Sequence, residues 1–379
     1  MLTYAQLIRR ELHKYPEIGF DLPKTLSLLR SEIEKMGVEY TEEYGKSSIV
    51  ATLNPEKSHY TIAIRADIDA LPITEMNDTE YKSQNEGKMH ACGHDAHTAI
   101  TLATLKELSE IKDSISCRVK VIFQAAEEYA PSGAMLMARD GVMDGVDMIV
   151  ALHCDSDYPA GHIATMSGYT NATSDGFTLT FKGKSSHAAM QQYGVDAITM
   201  AVRAYTDMEF AVVKEVSARE AVVFNVGSIH GGTTNNVICD ECSMFCTLRT
   251  HYAETADYLL DKFKRIGKAV ADTAGGVFVY EHKKHYPAVY NDPDVIKLIR
   301  SSASKVVGCN IHDVPRRSMG GEDFSYFLEH KPGAIFRLGV GNEERGITHG
   351  LHTARFDIDE RALEVGTKIF KQFILDNMK

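Results

Sequence analysis

The sequence has no apolar run approaching the roughly 20 residues that a bilayer span requires, so a membrane protein is not expected. It has no basic excess either. The formal net charge is −11, with no long run of Lys and Arg. That balance argues against nucleic acid or an anionic membrane as a main partner. The opening residues, MLTYAQLIRRELHKYPE, carry no basic-then-apolar signal pattern. Cysteine is sparse and odd in number: Cys92, Cys117, Cys154, Cys239, Cys242, Cys246 and Cys309 make seven. Scattered along so long a chain, they read as reduced thiols in a cytoplasm and not as a disulfide framework. No internal repeat and no low-complexity segment is present. The remainder is ordinary for a globular protein, 44% hydrophobic and 25% charged. At 379 residues, two domains are expected.

One stretch stands out. Residues 89–98 read MHACGHDAHT, with three histidines, a cysteine and an aspartate among ten residues. Cys92 and His94 are separated only by Gly93. A thiolate and an imidazole that close can reach one metal from a tight turn, and glycine permits that turn. Residues 96–108 then read as a helix, with Ala99, Ile100, Ala103 and Leu105 on one face. The cluster thus lies where a loop enters a helix, an end that favours thiolate and carboxylate charge. A surface loop that happens to be rich in histidine is the plain alternative. So many possible ligands in one stretch favour a metal site.

The surrounding pattern is α/β. Thr3 can cap a helix that buries Leu7, Ile8 and Leu12 and stops before Pro16, and a second helix covers 22–36. Strands are expected at 48–53, 60–66, 118–123 and 148–152, with a helix at 132–140. Asp67, Asp69, Glu127, Glu128 and His153 all fall just past the carboxyl ends of these strands. In open α/β sheets ligands bind at that edge. From about 168 to 283 the order becomes strand, helix, strand, strand, helix, strand, which is ferredoxin-like. The expected organisation is a first domain of 1–167 and 284–379, with a mixed sheet flanked by helices, and an inserted α+β domain of 168–283. The returning segment carries GGEDF (320–324) and GLHTARFD (350–357), and His352 can return to the same edge.

RADIDALPI (65–73), HACGHDAHTA (90–99), the Glu127-Glu128 pair, ALH (151–153), GGEDF and LHTARFD (351–357) occur in this order. In that respect the chain resembles the dinuclear metal amidohydrolases of the hippurate hydrolase, aminoacylase and bacterial carboxypeptidase type. The resemblance covers nearly the whole chain. It implies that Cys92, His94, Glu128, His153 and His352 hold two divalent metals, Zn²⁺ or Mn²⁺ with Ni²⁺ or Co²⁺ as substitutes, and that Cys92 is placed to bridge them. It implies Glu127 as general base and Asp69 as the acid that orients the centre. In the inserted domain, SSHAA with His187, GGTTNNVI with Asn236 and CTLRT with Arg249 match residues that bind substrate. That domain would then act as a lid and dimerisation module in a homodimer.

The implied activity is hydrolysis of the amide bond of N-acyl-L-amino acids. Deacetylation of N-acetyldiaminopimelate and cleavage of short peptides are the alternatives. The chain departs from the usual pattern at Gln191, Ala197 and Cys239, where proline is common, and at Cys246, where glycine is. Three rival readings compete with the resemblance. Cys92 could be a nucleophile. Cys239, Cys242 and Cys246 could be half of a zinc module. The fold could also serve a non-catalytic binding protein, whose mark would be a lost base or ligand.

Overall fold

The computed structural model describes residues 1–284 and 286–379. The chain divides into two compact units. The first comprises Met1–Gly168, Tyr290–Arg316 and Asp323–Lys379; the second comprises Tyr169–Val289 and Arg317–Glu322. The second therefore runs past 283 and also takes in a short later stretch, an exchange that reading the chain in order does not anticipate. Short strands β7 (Gly168–Asn171) and β12 (Val289–Asn291) lie where the chain passes from one unit to the other.

In the first unit, α1 (Tyr4–Lys14) begins at Thr3, whose side chain accepts from the Gln6 N–H while Gln6 caps the Thr3 N–H in return. The helix buries Ile8 and Leu12 as expected, but not Leu7. Leu7 is 54% exposed, and the inward face carries Ala5, Ile8, Arg9, Leu12 and His13. Two polar residues face inward because buried acids await them, as described below. Helix α2 (Pro23–Lys35) starts with proline, whose missing N–H costs nothing in a first turn.

Strands β1 (Glu39–Thr41), β2 (Ile49–Leu53), β3 (Thr61–Asp67), β4 (Arg118–Gln124), β5 (Met148–Pro159), β6 (Ile163–Thr165), β13 (Ile311–Asp313) and β14 (Gly333–Gly341) form one mixed sheet. Its order is β1-β2-β4-β3-β5-β14-β6-β13. β4, β3, β5 and β14 run parallel; β2 joins β4, and β6 joins β14, antiparallel. Alternate residues feed two cores, as a period of two requires. Ile62, Ile64, Val119, Val121, Val150 and Leu152 pack on one face with α1, α2, α3 (His94–Ser109), α7 (Pro293–Ala303) and α9 (Arg361–Asn377). Ala63, Ile122, Ile149 and Ala151 pack on the other with α4 (Gly133–Arg139) and the short α8 (Ser325–Leu328).

From β3 the chain goes through α3 to β4 on one side, then through α4 to β5 on the other. The winding reverses at β3, so a crevice opens at the carboxyl ends of β3 and its neighbours. His153 is not past the end of its strand as the sequence suggested. The apolar run stops there, but β14 continues the ladder, pairing Arg337 with His153 and Gly339 with Asp155.

The second unit contains β8 (Asp175–Lys182), α5 (Ala197–Glu215), β9 (Val222–Gly231), β10 (Glu241–Thr250), α6 (Ala253–Ala274) and β11 (Val277–Lys284). The strand order β11-β8-β10-β9, all antiparallel, is the ferredoxin-like arrangement. Phe177, Leu179, Phe181, Met200, Met244, Leu248, Leu259 and Phe263 fill its core. Cys239, Cys242 and Cys246 belong to that core. Burial pushes the thiols of Cys242 and Cys246 up to about 11 and about 12. Among the described residues no metal-binding group includes these cysteines, so they are packing residues and the zinc-module reading falls. Two departures from the family pattern are linked: the Ala197 N–H donates to the Cys239 carbonyl at 2.9 Å, a bond that proline at 197 could not make.

Candidate active site

Just beyond β3 the chain stays pinned. The Ile68 N–H donates to Gln124 O at 2.9 Å, and the Ala70 N–H to Glu17 O at 2.7 Å. Between them Asp69 is 1% exposed. Its Oδ1 accepts the backbone N–H of Glu127 at 3.0 Å, and its Oδ2 that of Glu128 at 3.3 Å. The acids follow a sharp turn at Ala126, which sits at φ +53°, a conformation that costs a side-chain-bearing residue energy. Asp69 thus presents both glutamates through their backbone.

His94 opens α3 behind Gly93, which has φ +84°. A Cβ on that glycine would lie 3.0 Å from Cys154 Cβ and 3.2 Å from its Sγ, so the close approach requires glycine. His94 Nδ1 is 2.8 Å from the Asp69 carbonyl. A carbonyl only accepts, so Nδ1 carries the proton. The other nitrogen, Nε2, is buried and has no hydrogen-bond partner. His153 is arranged alike: Nδ1 donates to Cys154 O at 2.8 Å, and Nε2 lies 3.5 Å from Cys92 Sγ. His352 reaches the same sulfur from the other end of the chain. Its Nε2 is 3.3 Å from Cys92 Sγ and 2.9 Å from Glu128 Oε1.

These donors form overlapping groups whose ligand atoms lie within 4.8 Å of one another: Cys92, His94 and His153; Cys92, Glu128 and His352; and His94, Glu127 and Glu128. The Cys92 sulfur belongs to the first two. The donor chemistry fits divalent cations. Burial pushes the Cys92 thiol well up, so it becomes a thiolate only where a cation compensates. Burial also works against a charged His94, yet Asp67 and Cys92 outweigh it and hold that ring well above its ordinary value. The pocket therefore favours positive charge at this ring, whose Nε2 lies 3.7 Å from Asp67 Oδ2. Sulfur, imidazole and carboxylate suit zinc and leave manganese open.

Of the other two histidines of the cluster, His97 falls in a further group with Asp67 and His94, but its ring is already tied to protein atoms. His97 Nδ1 bonds Asp67 Oδ1 at 2.6 Å, and its Nε2 accepts the Cys154 N–H at 2.8 Å, so both nitrogens are used. His90 is 1% exposed and belongs to none of the candidate metal groups; burial pushes it down to about 3.

Sequence reasoning missed the buried ion pairs behind the site. Arg65 binds Asp67 at 2.7 Å and Asp323 at 2.6 Å, which fixes Asp323 to the sheet. Arg9 binds Asp95 at 2.7 Å and Asp357 at 2.9 Å. The signal for the latter was a charged residue and a histidine, Arg9 and His13, four apart within the helix's inward stripe.

In the second unit, His187 and Asn236 come together. The two segments form a bridge at His187 and Val237, and the Ala188 N–H donates to Asn236 O at 3.0 Å. His187 Nδ1 accepts the Ala189 N–H at 3.0 Å, so in the neutral ring Nε2 carries the proton and is a donor. Asn236 Oδ1 accepts from Thr234 at 3.1 Å, and its amide NH₂ can donate. Arg249 is not with them. It lies near the far end of β10, and its Nη1 donates to Met319 O at 2.9 Å.

The chain is similar to known proteins over nearly its whole length. The profile described as peptidase family M20/M25/M40 matches residues 63–376. Thermostable carboxypeptidase 1 of Saccharolobus solfataricus is 34% identical over 95% of this chain and 91% of its own length. N-acetyldiaminopimelate deacetylase of Bacillus cytotoxicus is 33% identical over 97% and 96%. A Bacillus subtilis crystal structure, described as a dinuclear metal-binding peptidase from the M20 family, superposes with a TM-score of 0.84. It is 29% identical and covers 99% of this chain and 97% of its own.

Proposed function

We propose that this chain, which belongs to peptidase family M20/M25/M40 and is an amidohydrolase, removes the acyl group from N-acyl-L-amino acids. The observation that carries the reading is the pair of donor groups sharing Cys92, with Glu127 beside them. In this reading Cys92, His94, Glu128, His153 and His352 hold two divalent metal ions. Bound there, the ions lower the pKa of a water molecule and polarise the amide carbonyl. Glu127 takes the proton of the attacking water and passes it to the leaving amine. Glu128 is committed to the metal and cannot share that task. Asp69 keeps the two acids in place through their backbone N–H groups. His187 Nε2–H and the Asn236 amide are donors suited to the oxyanion, and Arg249 is suited to the α-carboxylate.

Two rivals are disfavoured. A nucleophilic Cys92 would need a lowered pKa, and burial pushes this thiol up. A non-catalytic binding protein has no use for a complete base and ligand set.

The second unit favours a homodimer. β8 and β10 pair Lys182 with Glu241 and Asp175 with Leu248. The His187–Asn236 loops therefore leave the Glu241 end of β10, and Arg249 lies toward the other. At about 3.4 Å per residue, Glu241 and Arg249 are about 27 Å apart. One small substrate cannot touch both groups of a single unit. We assign Arg249 to the protomer's own substrate and His187 with Asn236 to that of its partner.

The test is a panel of N-acetyl and N-benzoyl amino acids, N-acetyldiaminopimelate and unblocked dipeptides, assayed with metal-loaded and chelator-treated enzyme. Metal-dependent release of free amino acid from the acylated set is expected. Cleavage of unblocked peptides alone would overturn the reading.

A further inference from the structure

The Arg9 guanidinium is completely buried and reaches three acids. Its Nε bonds Asp95 Oδ2 at 2.7 Å, its Nη2 bonds Asp357 Oδ1 at 2.9 Å, and its Nη1 lies 3.5 Å from Glu360 Oε1. Asp95 directly follows His94 in sequence. Asp357 closes the segment that carries His352. The two ligands come from segments more than 250 residues apart in the chain, and one side chain spans both. His13, one turn further along α1, adds to the brace. Its Nδ1 bonds Asp95 Oδ2 at 2.7 Å and its Nε2 bonds Glu75 Oε1 at 3.2 Å. Next to Glu75, the Met76 N–H donates to Ala354 O at 2.8 Å, two residues beyond His352.

We propose that Arg9 is a positioning residue for the metal centre, holding the His352 segment in register with the start of α3. The proposal rests on the ligand set proposed above. A buried ion pair is by itself a poor stabiliser, because desolvating the charges costs about as much as their attraction returns. A planar fork that satisfies separate carboxylates does fix geometry, and lysine cannot reproduce it. The two ligands do not depend on that fork equally. His94 lies in a 16-residue helix and is 1% exposed. The His352 side chain is 52% exposed, on a loop residue at φ +61°. A ligand on a loop needs outside support more than one on a helix. Loss of the brace therefore falls on the group of Cys92, Glu128 and His352, and spares that of Cys92, His94 and His153.

The experiment is a Co²⁺ titration of the full-length apo-protein, followed by cobalt–thiolate absorption and elemental analysis, for Arg9→Gln, Arg9→Lys and Asp357→Asn. One ion is expected to bind as in the unmodified protein and the second about 10- to 100-fold more weakly, the usual effect of losing a group that orients a ligand. General destabilisation would weaken both ions alike. Equal weakening of both, or unchanged affinity for both, overturns the proposal. If Arg9→Gln does not fold, Arg9→Lys and Asp357→Asn carry the same test. His94→Ala and His352→Ala are titrated alongside. If neither affects Co²⁺ binding, the ligand set itself is wrong. If both do while the brace variants bind normally, only the role of Arg9 is refuted.

Discussion

Asp69 and Glu127 are joined through the backbone: the Asp69 carboxylate accepts the Glu127 N–H at 3.0 Å. The second oxygen serves Glu128 in the same way at 3.3 Å. An amide at 69 keeps one acceptor and turns an NH₂ donor against the other N–H. Asp69→Asn is therefore expected to lower kcat about 10- to 100-fold with metal retained. Steady-state kinetics with metal analysis on the same sample checks it. Normal turnover would leave Asp69 without a positioning role.

Glu127→Gln removes the proposed base and keeps the size of the side chain. The same backbone N–H still meets Asp69. We expect kcat to fall roughly 10²- to 10⁴-fold, the scale of a lost general base, at unchanged metal content. A metal-replete variant with near-normal turnover would send the search for the base elsewhere.

Cys92→Ala removes the sulfur shared by two donor groups, and His352→Ala removes a donor from one. Cys92→Ala should lose both ions and His352→Ala one. Each should also narrow the gap in Tm between metal-loaded and chelated protein, because bound metal stabilises only the folded state. Elemental analysis and thermal melts decide it. A variant with full metal stoichiometry is not missing a ligand.

The acid limb of stability has a nameable contributor. Asp359 is buried just before α9. Burial alone would raise its pKa, but Arg361 and Asn342 bring it down from 3.8 to about 2. A depressed carboxylate stabilises the fold above its unfolded value, and that contribution is lost as pH falls from about 4 toward 2. Asp359→Asn should therefore lower Tm at pH 7, and the deficit should shrink below pH 4. A deficit that is constant with pH would mean the loss is packing and not charge.

Much of this was legible in the sequence because the chemistry lies in short motifs at strand ends. The apolar runs of β3 and β4 and the turn after each placed Asp69 and the glutamate pair correctly. The periodicity of β8, α5, β9, β10, α6 and β11 gave the ferredoxin-like order. Three things were hidden. His153 lies inside β5 because pairing with β14 extends the strand past its apolar residues, and only the partner reveals that. His97 is tied on both nitrogens, by Asp67 and Cys154, which its place in the cluster does not disclose. Arg9 and His13 broke the expected stripe of α1, since a buried charge makes sense only once its acids are seen. All three depend on contacts between segments distant in the chain.

The assignment of His187 to the partner's site has a test that single variants cannot give. His187→Ala alone should lower kcat with metal occupancy intact, wherever the residue acts. Glu127→Gln alone should do the same through the base. The two variants are then mixed and allowed to exchange subunits. If His187 serves the partner's centre, each mixed dimer contains one site with Glu127 from the His187→Ala protomer and His187 from the Glu127→Gln protomer. That site is complete, so activity returns toward one working site per mixed dimer. If His187 serves its own protomer, every site in the mixture lacks one of the two residues and no activity returns. A size measurement on the same mixture shows whether dimers exist to exchange. Restored activity would also account for Arg249 and His187 lying toward opposite ends of β10: each would meet a substrate, but not the same one.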